Sequence, residues 1–260
     1  MTMRSNPVRE RLLDGRGAVG IMAFEFFTPG LPALLAAAGA EFVILDTEHS
    51  GIGTDTLRMQ LAAARGLPIM PFVRVPAGWG HLIAPVLDAG AMGIMVPMVE
   101  TGQQARDIVR WCRYRPEGTR GLGFGVAHDD FTDGDVPAKI RAANARTLTI
   151  ALVETANGIA NVDEILGTPG IDVGWLGHYD LTDSMGITGQ FDHPDFLRAV
   201  ETFVATCRRH GKPAGILAPD VPAALAWRKR GFSVLCYGTD TGLLKGALAE
   251  GVKALRHADP

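Results

Sequence analysis

Two carboxylates stand where apolar runs end: Glu154 follows Thr147-Leu-Thr-Ile-Ala-Leu-Val153, and Asp180 follows Val173-Gly-Trp-Leu-Gly-His-Tyr179. An acid at the C-terminal end of a buried parallel strand lies on the face where alternating β/α barrels carry out chemistry, and two such acids from successive strands can share one hard cation. Each acid taken singly is also compatible with a helix N-cap or a first-turn carboxylate. Further polar residues gather at other strand ends, however. Asp46-Thr47-Glu48-His49 follows Phe42-Val-Ile-Leu45, and Arg74 follows Ile69-Met-Pro-Phe-Val73.

Other chemistries lack their residues. No His-x-x-x-His or Glu-x-x-His spacing supports a histidine metal site, and no Gly-x-Ser-x-Gly elbow supports a serine nucleophile. Lysines are few and none ends a strand, which argues against a Schiff base. His81, His193 and His210 fall on helices or helix starts and read as surface or capping residues. Gly121-Leu-Gly-Phe-Gly125 lacks the preceding strand and following helix of a dinucleotide site, so its glycines read as permitting close backbone approach to a ligand. Metal activation through oxygen ligands remains.

The elements that must position these residues are short apolar runs alternating with Ala/Leu-rich stretches. Strands are expected at 18–23, 42–45, 69–73, 93–97, 147–153, 173–176, 214–217 and 233–237. Helices are expected at 31–38, 54–65, 80–88, 101–110, 157–166, 194–210, 222–229 and 241–257. Eight strands with intervening helices imply a closed (β/α)8 barrel, although an open doubly wound sheet shares most of the pattern. At 260 residues, 47% of them hydrophobic, the chain matches one barrel of about 250 residues, and no linker or composition shift divides it. The long Gly- and Asp-rich stretch 115–138 reads as a functional loop that could cover the C-terminal face.

A net charge of −3 with scattered basic residues gives no sign of a nucleic-acid partner, and Arg228-Lys229-Arg230 reads as the solvated end of a helix. Cys112, Cys207 and Cys236 are odd in number and widely spaced, which suits a reducing cytoplasm rather than a disulfide framework. No run approaches the roughly 20 apolar residues needed to cross a bilayer. A soluble cytoplasmic protein is expected.

Several segments together resemble the HpcH/HpaI aldolase family. They are Phe42-Val-Ile-Leu-Asp-Thr-Glu-His49, Pro71-Phe-Val-Arg-Val75, Asp88-Ala-Gly-Ala-Met-Gly-Ile-Met-Val-Pro-Met-Val99, Gly118-Thr-Arg-Gly121, Val153-Glu-Thr155 and Asp180-Leu-Thr-Asp-Ser-Met-Gly186. The resemblance implies a (β/α)8 barrel and a class II pyruvate aldolase, acting on a 2-oxo acid and an aldehyde with a divalent ion, Mg²⁺, Mn²⁺ or Co²⁺. Its ligands match Glu154 and Asp180. Arg74 would then stabilise charge on the keto oxygen as an enolate forms. His49, paired with Asp88, would move the aldehyde hydroxyl proton, with Asp46 and Glu48 orienting water and His49 from behind. The resemblance also implies a homo-hexamer, a trimer of dimers, with exchanged C-terminal helices. Leu243, Leu244, Ala247, Leu248, Val252 and Leu255 supply an apolar stripe suited to that exchange.

Departures from the family pattern point to a changed acceptor. Gly177-His178-Tyr179 stands where many members have Gly-Pro and a small residue, which makes Gly177, His178 and Tyr179 candidate substrate contacts beside Arg74. Leu152 replaces a Gln two residues before Glu154. Segment 126–131 is unusually acidic, and the first strand ends in Phe24-Glu-Phe-Phe27 without the common Trp. Two other readings stay open: a lyase that reaches the same enolate by decarboxylating oxaloacetate or another 2-oxo acid, and a non-catalytic barrel that only binds a 2-oxo acid.

Overall fold

Strand parity explains the architecture. In the computed structural model, which describes residues 3–257, strands β1 (Ala18–Ala23), β2 (Phe42–Asp46), β3 (Met70–Arg74), β4 (Gly93–Val96), β5 (Leu148–Val153), β6 (Val173–Leu176), β7 (Ala214–Ala218) and β8 (Val234–Thr239) close into a parallel barrel in chain order. The open-sheet alternative is thereby set aside, and every expected strand lies within two residues of its observed bounds.

Successive side chains of a strand face opposite ways. Phe42, Ile44, Phe72, Met95, Ile150, Leu152, Trp175 and Cys236 form a cluster inside the barrel, whereas Val43, Leu45, Val73, Ile94, Ala151 and Leu235 belong to the layer between sheet and helices. Phe42 and Phe72 stack at 5.6 Å between centroids, each burial of this kind contributing about 1.5–3 kcal/mol. Large rings need room. A Cβ on Gly215 would lie 2.3 Å from the Trp175 ring, so only glycine allows Trp175 to fill the interior.

The helical layer comprises α2 (Leu31–Ala37), α3 (Thr54–Ala63), α4 (Gly80–Asp88), α5 (Gly102–Cys112), α6 (Val136–Arg146), α7 (Ala156–Ala160), α8 (Val162–Gly167), α9 (His178–Ser184), α10 (Pro194–Arg209), α11 (Val221–Arg230) and α12 (Asp240–His257). Before them α1 (Pro7–Leu13) plugs the N-terminal end of the barrel: Val8 and Leu12 join the interior cluster, and Asn6 donates to Met92 O and Arg146 O at 2.9 Å each. The expected helix 157–166 is two short helices, and α1, α6 and α9 add to the expected set. His193 caps α10 by accepting from Asp195 N, and residues 228–230 end α11 exposed, both as expected.

The long loop does not cover the C-terminal face. It follows α5, and a helix antiparallel to its strand returns the chain to the N-terminal end of the barrel. There Arg146 at the end of α6 donates to His128 O, Arg65 just beyond α3 donates to Ala127 O at 3.1 Å, and Arg4 pairs with Asp130 at 3.1 Å. Gly121 to Gly125 therefore serve this loop rather than a ligand at the opposite end.

On α12 only Asp240 is buried. Leu243 packs against the core, but Leu244, Leu248, Val252 and Leu255 are exposed. Among the described residues no helix is long and apolar enough to cross a membrane.

Candidate active site

The inward parity that stacks Phe42 under Ile44, Phe72 on the next strand, and Ile150 under Leu152 continues for one more step at the C-terminal end. It turns Asp46, Arg74 and Glu154 toward the interior, where they are 0%, 8% and 4% exposed. Asp46 and Arg74 are register partners on β2 and β3. Arg74 Nε donates to Asp46 Oδ1 at 2.6 Å and lies 3.2 Å from Glu48 Oε2, while its Nη2 is buried without a partner among the described residues.

Asp46 also builds the turn that carries His49. Its carboxylate accepts from Glu48 N at 3.2 Å and His49 N at 2.8 Å, and its carbonyl accepts from the Ser50 hydroxyl. His49 lies with Nε2 3.7 Å from Glu48 Oε2 and a side chain 61% exposed to solvent. Burial raises the Glu48 carboxyl above the usual range, against the pull of Arg74.

Glu154 accepts from Met98 N at 2.8 Å through Oε1. Its Oε2 would lie 2.3 Å from a Cβ at Gly177, so glycine is required for this carboxylate to sit against β6. Burial pushes Glu154 up to about 7, and the nearby Asp180 and Glu48 carboxylates add to the rise while the Met98 N–H and Arg74 oppose it. Asp180 lies in the first turn of α9, the ordinary position for a helix carboxylate, yet its side chain makes no hydrogen bond among the described residues and lines the same cavity as Glu154.

That cavity, about 170 Å³, is walled by Phe24, His49, Arg74, Glu154, Trp175, Gly177, His178, Tyr179, Asp180 and Leu217 among others. A larger groove of about 350 Å³ nearby, lined by Trp79, Met98, Asp107 and Trp111, gathers no comparable set of charged groups. Chemistry rather than size selects the smaller one. Asp46, Glu48, Glu154 and Asp180 face one guanidinium, an excess of carboxylate that a hard divalent cation would offset. Glu154 and Asp180 present oxygen donors suited to such an ion, and among the described residues no three His, Cys, Asp or Glu converge into a complete protein-only set.

His178 and Tyr179 both reach the cavity, but differently. His178 is buried against Tyr179, Phe191 and Trp227 at centroid distances of 4.6, 5.3 and 6.1 Å, and burial lowers its imidazole to about 4, so it is neutral. Tyr179 is 60% exposed at the mouth.

Asp88 is the exception among the expected site residues. It ends α4 at the N-terminal end of the barrel, where it accepts from Arg120 at 2.5 Å, so the expected pairing with His49 does not form within one chain. Phe24, Trp175 and Leu217 were not singled out as site residues. Strand parity was the signal that could have found them.

The sequence matches the HpcH/HpaI aldolase/citrate lyase family model over residues 26–247. The chain belongs to that family. This aldolase, a carbon-carbon lyase, is 36% identical over 244 residues to the hydroxypyruvate/pyruvate aldolase of Roseovarius nubinhibens, covering 94% of each chain. It is 35% identical over 214 residues to the 5-keto-4-deoxy-D-glucarate aldolase of Klebsiella pneumoniae, covering 82% of this chain and 83% of the other. The solved HpcH/HpaI aldolase of Desulfitobacterium hafniense superimposes with a TM-score of 0.91 at 27% identity, over 97% of both chains.

Proposed function

We propose that the chain is a divalent-metal-dependent class II aldolase that cleaves or forms 4-hydroxy-2-oxo acids through a pyruvate enolate. The observation that carries this reading is the unpaired Arg74 Nη2 in a cavity that Glu154 and Asp180 also line. Glu154 and Asp180 would hold Mg²⁺, Mn²⁺ or Co²⁺. A bound ion supplies the polarisation of the 2-oxo acid carbonyl that acidifies the adjacent C–H.

The chain's own groups do the rest. Arg74, its Nε held by Asp46, offers Nη2 as a donor to the keto oxygen as negative charge gathers there. His49, with Glu48 beside its imidazole, takes or returns the proton of the acceptor hydroxyl. Gly177 lets the donor approach Glu154 closely, and His178 and Tyr179 form the wall that an incoming aldehyde meets. Relatives named for hydroxypyruvate, pyruvate and a keto-deoxy sugar acid support a three-carbon 2-oxo donor.

Loss of CO₂ from oxaloacetate would reach the same enolate and is the second reading. A barrel that only binds a 2-oxo acid is disfavoured, because chelation alone needs neither Arg74 nor His49.

The separation of Asp88 from His49 supports an assembled enzyme in which His49 meets Asp88 of a second copy. Exposed Leu122 and Phe131 in the loop that packs by Asp88, and the exposed leucines of α12, supply apolar surface for it. A homo-hexamer with exchanged C-terminal helices fits these surfaces. Three unpaired cysteines, all buried, fit a reducing cytoplasm. Retro-aldol release of pyruvate from a panel of 4-hydroxy-2-oxo acids tests the reading: release should stop on chelation and return with added ion, and release indifferent to chelation would refute it.

A further inference from the structure

Asp240 is a carboxylate at a strand end that the chemistry above does not use. It follows β8 directly, begins α12 and is 7% exposed. Its Oδ1 accepts from Phe24 N at 3.0 Å and Thr241 N at 2.9 Å, and its Oδ2 accepts from Glu25 N at 2.9 Å and Phe26 N at 2.7 Å. Three successive N–H groups of the segment after β1 therefore converge on one carboxylate. Such charge-assisted bonds fix a backbone that no sheet ladder holds.

The first residue of that segment belongs to the site. Phe24 lines the cavity and packs on the barrel interior, and the Arg74 guanidinium carbon lies 5.5 Å from its ring centroid. A ring over that face is attracted to the cation and keeps water from it, which preserves the guanidinium's orientation and the strength of its field. The chain of contacts runs from Asp240 through the backbone of residues 24–26 to the Phe24 ring and then to Arg74.

We propose that Asp240 is a positioning residue, which holds Phe24 against Arg74 and so couples the start of the C-terminal helix to the group that stabilises the enolate. This rests on the aldolase reading. An amide at position 240 must lose bonds, because each carboxylate oxygen accepts from two N–H groups and an NH₂ can replace neither.

The test combines amide hydrogen exchange with kinetics on the full-length protein. In Asp240→Asn, exchange at residues 24–26 should accelerate by on the order of 10-fold while the barrel strands stay protected. Its kcat for pyruvate release should fall on the order of 10-fold with Mn²⁺ affinity unchanged, because a displaced group costs rate. Asp240→Glu keeps the charge but is one methylene longer, and it should lose kcat too. In a Phe24→Ala background, Asp240→Asn should cost less than about 2-fold more, since contacts in one chain are not additive. Unchanged exchange at residues 24–26, or kcat losses that multiply in the double variant, would overturn the proposal. Wild-type protein that releases no pyruvate would overturn the aldolase reading instead, and amide exchange would still decide whether Asp240 anchors the segment.

Discussion

Arg74 Nε donates to Asp46 Oδ1 at 2.6 Å between register partners on adjacent strands, while Nη2 of the same guanidinium is buried without a partner among the described residues. One edge of the fork is tied to Asp46 and the other makes no hydrogen bond among the described residues. Burying an unpaired donor is costly, and a group on which such cost is spent is a candidate for function.

Lysine in place of Arg74 should therefore not restore activity. A point charge cannot hold Asp46 and reach the keto oxygen together. Arg74→Lys is expected to lose on the order of 10²-fold in kcat, comparable with deleting an oxyanion donor. Steady-state kinetics placing the variant within a few-fold of wild type would remove Arg74 from the catalytic set.

Stability should respond to acid through the loop beside Asp88. Burial keeps His128 below the usual histidine range, with Arg120 and Arg146 adding to the effect against a bond to Gly123 O. The unfolded chain takes up a proton near pH 6.5 that the folded loop refuses, so stability falls as pH drops from about 6.5 toward the lower folded value. For Asp129, burial is outweighed by Lys139 and the Gly125 N–H, which hold its carboxyl low. That contribution is present above about pH 4 and is lost only as pH falls through the folded value. Urea unfolding between pH 6.5 and 5 should show a falling midpoint in wild type and a flatter one in His128→Gln. Parallel curves would contradict this.

Assembly can be tested by complementation. If His49 works with Asp88 of a second copy, His49→Ala and Asp88→Ala should each be nearly inactive, and equal mixing should recover about one quarter of wild-type activity, because one site in four joins the two intact residues. Mixed oligomers that recover nothing, or a wild-type protein that sediments as a monomer, would refute the pairing between copies.

Specificity should reside at His178 and Tyr179. Replacing them by Pro and Ala removes the neutral imidazole and the exposed ring at the mouth, and is expected to redistribute kcat/KM across a panel of aldehydes more than it alters pyruvate enolisation. Equal losses in both reactions would make these residues supports of the Glu154 and Asp180 site.

The barrel was legible because parity and apolar runs are local: Asp46, Arg74 and Glu154 each extend an inward series by one step, so their convergence follows once the strands close. Asp88 was not legible in this way, since its place depends on which end of the barrel a helix finishes, and the same holds for the loop after α5. Helix α6 is not legible in the sequence because its apolar face is narrow, with Lys139, Asn144 and Arg146 among its buried residues. Asp240 carries the same signal as Glu154, an acid just past a strand, but the backbone amides of residues 24–26 claim its oxygens. Only the fold tells the two apart.

Proton exchange at the pyruvate methyl group in D₂O, followed by NMR, isolates enolate formation from the identity of the aldehyde. Wild-type protein with added Mg²⁺ or Mn²⁺ should exchange these protons and lose the activity on chelation. Glu154→Ala and Asp180→Ala should neither bind the ion nor exchange, while unfolding as cooperatively as wild type. Exchange that persists at the wild-type rate in either variant, or after exhaustive chelation, would contradict the assignment of Glu154 and Asp180 as ligands of a catalytic divalent ion.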